Sequence, residues 1–371
     1  MGMKRIIDEF VELTGIDSPS LKERAMADLL SLKLRDMGLE VYEDGAGKKA
    51  GSDCGNIIAK LKGDGDLPSV ALLAHMDTVK PCEGKKRIVD GEIVRSDGTT
   101  ILGGDDAAGM VIILETIRRI REQNVRCGNV FAVFTIAEEV GLLGSKYLEY
   151  DRLSADYAFV FDSGGPAGTI SNIAPSQITM DIAIKGKAAH AGIEPEKGIS
   201  AIQVFAKAVS EMKLGRIDEE TTANVGVVNA GTATNIICDS LTARAEARSL
   251  SGKKLEDQAT HMEKRFSDAC AELGAELTFE SFVEYKGFTV NPDSPIISKL
   301  ESAAGKLGIE IVLEKTGGGS DTNILNEMGI MAVNLSAGMY NAHTTDEYAD
   351  LGIVEKTVEL MVETIKGFTE M

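Results

Sequence analysis

The sequence predicts an α/β protein: a doubly wound domain built from both ends of the chain and interrupted by an inserted α+β unit. Three observations predict it. Short apolar runs alternate with helical patterns up to about residue 175. The alternation then breaks over 178–283 into strand, helix, two strands, long helix and strand. After Gly287 the alternation resumes. The boundaries expected are therefore 1–175 for the first part of the main domain, 176–285 for the insert and 286–371 for the second part.

The opening reads as helix, turn, helix. Apolar positions over 6–13 meet a break at Asp17-Ser18-Pro19. Ser20 with Glu23 three residues on then has the form of a capping box, opening an amphipathic helix over 21–37. After Gly38 the pattern switches to β-like runs at 39–42, 56–61 and 70–74, separated by turns rich in Gly and Asp. A helix over 107–121, a strand over 130–137, a helix over 142–148 and a strand over 157–161 follow. In the insert the helices fall at 199–212 and 254–271, and its central strands at 224–228 and 240–249. The closing stretch predicts a helix from 294, a strand at 310–313, a helix at 320–327, a strand at 331–335 and a last helix at 351–366.

With 43% apolar and 26% charged residues over 371 positions, wholesale disorder and fibrous repeats are excluded. Thirty-nine basic against 58 acidic side chains leave a formal charge of −19, which repels phosphate backbones and anionic lipid. Neither nucleic acid nor a membrane is expected as a partner. The N-terminal stretch meets Asp8 and Glu9 before any long apolar run, and no segment approaches a span of about 20 apolar residues. Five widely spaced cysteines, with no C-x-x-C pair, fit a reducing, cytoplasmic setting.

In open α/β sheets ligands bind beyond the carboxyl ends of strands, so the residues after each apolar run carry the chemistry. There stand His75-Met76-Asp77, Glu138-Glu139 and Asp162, with His343 a short loop after the 331–335 run. Asp105-Asp106 lie between Gly103-Gly104 and a helix start, where acids suit the helix dipole. Of the four histidines, His261 falls mid-helix among polar residues and is expected to face solvent. The imidazoles and carboxylates together form a mixed N/O donor set suited to zinc, or to manganese or cobalt as substitutes. Two zincs against three ligating carboxylates leave a residual positive charge that favours hydroxide over water. His75 and Asp77 share one side of an extended backbone, so the acid can orient the imidazole. Glu138 and Glu139 point in opposite directions, so one can ligate metal while the other serves as general base.

Read in order, the stretches Ala74-His75-Met76-Asp77-Thr78-Val79, Leu102-Gly103-Gly104-Asp105-Asp106-Ala107-Ala108-Gly109, Ala137-Glu138-Glu139-Val140-Gly141, Phe161-Asp162-Ser163-Gly164, Lys187-Ala188-Ala189-His190-Ala191-Gly192 and Asn341-Ala342-His343-Thr344 resemble the M20 family of dinuclear zinc peptidases, and within it the peptidase T-like branch. The resemblance spans essentially the whole chain. It implies a zinc-peptidase catalytic domain with an inserted lid and dimerisation domain, acting as an aminopeptidase on tripeptides. It implies further that His75 and Asp162 hold one zinc, Glu139 and His343 the other, and that Asp105 bridges them. Glu138 would be general base and proton donor, with Asp77 orienting His75. His190 would stabilise the oxyanion, often from the neighbouring subunit of a homodimer, and Asn235 and Arg248 would contact substrate backbone and carboxylate.

Two departures stand out. Ala107 replaces a lysine usual after the paired acids, and Gly317 opens Gly317-Gly318-Gly319-Ser320-Asp321-Thr322 where peptidase T has arginine. The metal set is untouched, whereas recognition of a substrate terminus loses a guanidinium. The glycine run lacks the Lys and spacing of a phosphate-binding loop and is expected to touch substrate backbone. Two alternatives remain open at this point. One is an M20 carboxypeptidase, deacylase or amidohydrolase acting on N-acyl amino acids. The other is a metal-dependent binding protein without turnover, which would have no use for an unligated Glu138.

Overall fold

The computed structural model describes residues 2–369, and the chain divides into two compact units. Among the described residues the first comprises 2–172, 289–315 and 320–369, and the second 173–288 together with 316–319. Thr316–Gly319 thus group with the second unit, and the chain returns to the first at Ser320.

The first unit is built on a mixed sheet whose centre is parallel. Val130–Thr135, Val70–His75, Tyr157–Gly164 and Met331–Tyr340 lie side by side in that order, all running the same way. The first two are buried at every position. Such unbroken apolar runs mark strands covered on both faces, which parallel sheets require. Antiparallel strands flank this centre: Ile57–Leu61 and Glu40–Glu43 on one side, Tyr348–Asp350, Ile93–Ser96 and Arg87–Asp90 on the other. The 87–96 hairpin is absent from the sequence reading, because its burial is irregular and it forms an edge.

Helix Gly104–Glu122 is buried from Gly104 through Ile117 without interruption, as befits a helix enclosed on all sides rather than an amphipathic surface helix. Ala107, at the first of the two departures, is among its buried residues. Two local expectations are corrected. The helix expected over 21–37 begins only at Arg24, and Glu23 makes no capping hydrogen bond. Its carboxylate instead accepts from Leu21 N–H, Ala137 N–H and the Ser52 hydroxyl, while Ser20 donates to Asp77. The helix expected over 142–148 shrinks to Leu143–Lys146, followed by a 3-10 turn at Tyr150–Arg152.

The second unit is an antiparallel five-stranded sheet in the order Gly215–Arg216, Thr221–Ala230, Ser240–Ser249, Ser176–Lys185, Glu276–Tyr285. Alternate residues of its central strands, Ile178, Met180, Ile182 and Ile184 with Ala243, Ala245 and Ala247, form one apolar face. Val204 and Ala208 of Ala201–Ser210 and Met262 and Phe266 of Gly252–Leu273 join the same core. Each helix is started by a serine, Ser200 accepting from Gln203 N–H and Ser251 from Lys254 N–H. His261 is half-buried rather than solvent-facing, its Nε2 accepting from Lys213 N–H at 3.2 Å. No helix among the described residues is long and apolar enough to cross a membrane.

Candidate active site

The chemistry gathers at the carboxyl ends of the parallel strands of the first unit. His75 closes Val70–His75, Glu138 and Glu139 follow Val130–Thr135, Asp162 lies in Tyr157–Gly164, and His343 comes just after Met331–Tyr340. Asp105 and Asp106 head the Gly104–Glu122 helix but keep non-helical backbones, with φ, ψ of −82°, 102° and −121°, 40°. That extended step turns Asp105 toward the strand ends.

Asp105 is the hub. Its Oδ1 lies 2.9 Å from His75 Nε2 and its Oδ2 3.3 Å from His343 Nε2. His343 Nε2 is also 2.9 Å from Glu139 Oε1, and His75 Nε2 is 4.0 Å from Asp162 Oδ1. His75 thus faces one oxygen of Asp105, and His343, itself beside Glu139, faces the other. Ligand atoms of His75, Asp105 and Glu139 lie within 4.8 Å of one another. The Glu138 carboxylate is buried beside them and is engaged by no hydrogen bond or ion pair among the described residues.

Asp77 touches both His75 and the segment that carries Glu138 and Glu139. The imidazole Nδ1 is 2.8 Å from the Asp77 backbone carbonyl and 3.5 Å from its Oδ1. A carbonyl only accepts, so Nδ1 carries a proton and Nε2 faces Asp105. The Asp77 carboxylate accepts Glu138 N–H at 2.9 Å and Glu139 N–H at 3.3 Å, and Glu23 accepts Ala137 N–H at 3.0 Å. Three consecutive amides are thus held by two buried acids. Ala137 and His343 have left-handed φ of 50° and 66°. That conformation costs non-glycine residues on the order of 1 kcal/mol each, and at Ala137 the Glu23 bond offsets it.

Electrostatics follow from burial and from this crowding. Burial disfavours a charged His75, yet the carboxylates of Asp105 and Asp77 outweigh it and hold the imidazole well above its ordinary range. His343, bonded to Asp105 and Glu139, is pushed up to about 10. For Asp105 burial acts upward, but the two imidazoles win and keep it below the usual carboxylate range. Glu138 moves well upward through burial and the Asp162 charge, and Asp162 through burial and Asp105. Glu23, Asp77, Asp105, Asp106, Glu138, Asp321 and Glu347 are all buried, and none pairs with lysine or arginine among the described residues. Buried carboxylates at this density call for a compensating positive charge.

The sequence alone gives Glu23, Asp106 and Asp321 no role at this site and does not single out Glu347. Asp106 accepts His75 N–H at 3.2 Å and Gly109 N–H at 2.9 Å. Asp321 accepts the Thr135 hydroxyl at 2.6 Å, and Thr135 pairs with His75 across the sheet. The only available signal was acid type within a glycine-rich or helix-start segment. Gly109 is required by contact: a Cβ there would sit 2.6 Å from the Phe161 carbonyl oxygen and collide with the Asp106 carboxylate. Gly109→Ala is expected to lower stability by about 1–3 kcal/mol, read as a lower denaturant midpoint. An unchanged midpoint would show that the helix simply moves aside.

The substrate-contact residues expected in the insert belong to the second unit. His190 is exposed and bridges to Ile236, and the Asn235 carbonyl accepts Ala191 N–H at 3.0 Å, so the 190 and 235 segments run together. Arg248 makes a two-pronged bond to Glu246, at 3.1 Å and 3.0 Å.

The chain belongs to peptidase family M20/M25/M40, whose family model it matches over residues 71–367. It is an α/β peptidase, and its relatives place it on the peptidase T-like branch. It is 42% identical over 363 residues to the uncharacterized protein YqjE of Bacillus subtilis, with 98% of each chain covered. Among solved structures it is 40% identical to the aminopeptidase PepT from Bacillus cereus, with 99% of each chain covered and a TM-score of 0.87. It is 36% identical to a tripeptidase from Staphylococcus aureus, covering 100% of this chain and 99% of that one at a TM-score of 0.93.

Proposed function

We propose that this peptidase is a metal-dependent aminopeptidase that removes the first residue of tripeptides, working as a cytoplasmic homodimer. Two divalent ions, zinc foremost and cobalt or manganese as substitutes, would be held by His75 and Asp162, by Glu139 and His343, and jointly by Asp105. The observation that carries this reading is the Asp105 carboxylate, each oxygen of which faces a different imidazole. Imidazole nitrogen with carboxylate oxygen is a donor set for borderline cations, and the uncompensated acids around it supply the countercharge. When bound, such a pair supplies Lewis acidity to the scissile carbonyl and makes water acidic enough to attack near neutral pH.

The chain's own work lies in proton transfer and positioning. Glu138, unbonded beside the donors, takes the proton of the attacking water and returns it to the leaving amine as the C–N bond breaks. Asp77 and Glu23 keep its backbone in place, and burial excludes bulk water from the carboxylate. His190 as oxyanion donor, and Asn235 and Arg248 as contacts for substrate backbone and carboxylate, belong to the same proposal, and their variants should act on kcat or KM without changing metal content. The five cysteines are all free, which suits a reducing compartment.

The test sets a panel of tripeptides, dipeptides and N-acyl amino acids before the purified protein, with and without a chelator, alongside metal analysis. The expected result is release of the N-terminal residue from tripeptides, lost on chelation and restored by zinc, cobalt or manganese. Preference for acylated amino acids would move the substrate to the deacylase class. Turnover indifferent to chelation would sink the metal reading.

A further inference from the structure

Glu347 has no part in the reaction described above, yet it is 1% exposed and forms no ion pair among the described residues. Its Oε2 accepts Leu102 N–H at 2.7 Å and Gly103 N–H at 2.9 Å, and its Oε1 accepts Asp105 N–H at 3.0 Å. One carboxylate thus receives three amides of the loop that presents Asp105. The room for it is built in, because a Cβ at Gly104 would approach Oε1 to 3.0 Å. Glu347 is itself anchored, its N–H donating to Thr344 O and its carbonyl accepting Ser96 N–H. It also sits four residues after His343, at the end of the next turn of the same loop.

These bonds join two segments 242 residues apart in sequence. On one side is the amide of the residue whose two oxygens face both imidazoles, and on the other the loop that carries one of those imidazoles. Resting on the dinuclear reading above, we propose that Glu347 is a positioning residue for the metal pair: by clamping the Asp105 amide to the His343 loop, it sets the span over which Asp105 reaches both ions. A glutamine of the same shape has one acceptor atom instead of two. It must therefore release either the Leu102 and Gly103 amides or the Asp105 amide. Partners that orient ligands in this way are worth about 10–100-fold in metal affinity.

The experiment titrates metal-stripped protein with Zn2+ and with Co2+ by calorimetry and records the visible spectrum of the cobalt form. Wild type is expected to take up two ions. Glu347→Gln is expected to bind at least one of them about 10–100-fold more weakly, with altered cobalt bands and a lower kcat at similar KM. Glu115→Gln provides the contrast, because Glu115 is equally buried but bonded to Arg5, Arg118 and Arg119. That variant should melt earlier and keep both affinities and the cobalt spectrum. Should Glu347→Gln fail to fold, Glu347→Asp, which keeps the charge but shortens the reach, is put through the same titration and should also weaken binding and alter the bands. Wild-type affinities and spectrum in the folded variant would overturn the proposal while leaving the two-ion reading intact. Fewer than two ions on wild type would instead overturn that reading, and this one with it.

Discussion

Replacing Glu138 by alanine is expected to lower kcat by about 10²–10⁴-fold, the range supplied by a positioned general base, while metal content stays near two ions per chain. The expectation rests on the contrast between two neighbouring residues. Glu139 Oε1 is committed to His343 at 2.9 Å, whereas the Glu138 carboxylate is buried against the same cluster and bonded to nothing among the described residues. An acid kept unligated at such a site has proton transfer as its remaining use. Removing it should leave KM nearly unchanged, because the interaction is made chiefly in the transition state. Glu139→Ala should behave differently and lose metal along with activity. Near-normal turnover in Glu138→Ala, measured together with metal content, would overturn the assignment of the base.

Asp105→Ala should have an equally large effect by another route. Both imidazoles lose their shared partner, so uptake is expected to fall below two ions per chain and turnover to vanish into the background. The same substitution has a pH signature in the metal-free protein. His343 is pushed up to about 10 by Asp105 and Glu139, above the value of about 6.5 for a free imidazole. The stabilisation from its protonated form is therefore fully present below the unfolded value and is lost as pH rises through the folded one. Asp105→Ala should flatten that loss in melts recorded across this window. A ligating imidazole must be neutral, so metal binding to wild type near pH 7 should release protons and strengthen as pH rises. Calorimetry in buffers of different ionisation enthalpy measures that release, and its absence would show that His343 is neutral before metal arrives.

Much of the architecture was legible in the sequence. Apolar runs such as 70–74 and 130–135 are continuous because both faces of a parallel sheet are covered. Edges were harder. The Arg87–Asp90 and Ile93–Ser96 hairpin carries a weak pattern because only scattered positions are buried. The capping-box spacing of Ser20 and Glu23 misled for a related reason: a side chain three residues away offers a local partner, but Ala137 N–H, more than a hundred residues on, competes for the same oxygen.

What the sequence by itself determined is the kind of chemistry and its order along the chain. Imidazoles and acids at the ends of apolar runs are local features, readable wherever a strand stops, and together they carried the family resemblance that the relatives support. Only the tertiary structure decided which oxygen of Asp105 faces which imidazole, that Asp77 and Glu23 hold the backbone under Glu138, and that Glu347 clamps the Asp105 loop. Those relations depend on the register of parallel strands and on amides that every residue type except proline presents alike, so no pattern of side chains could announce them.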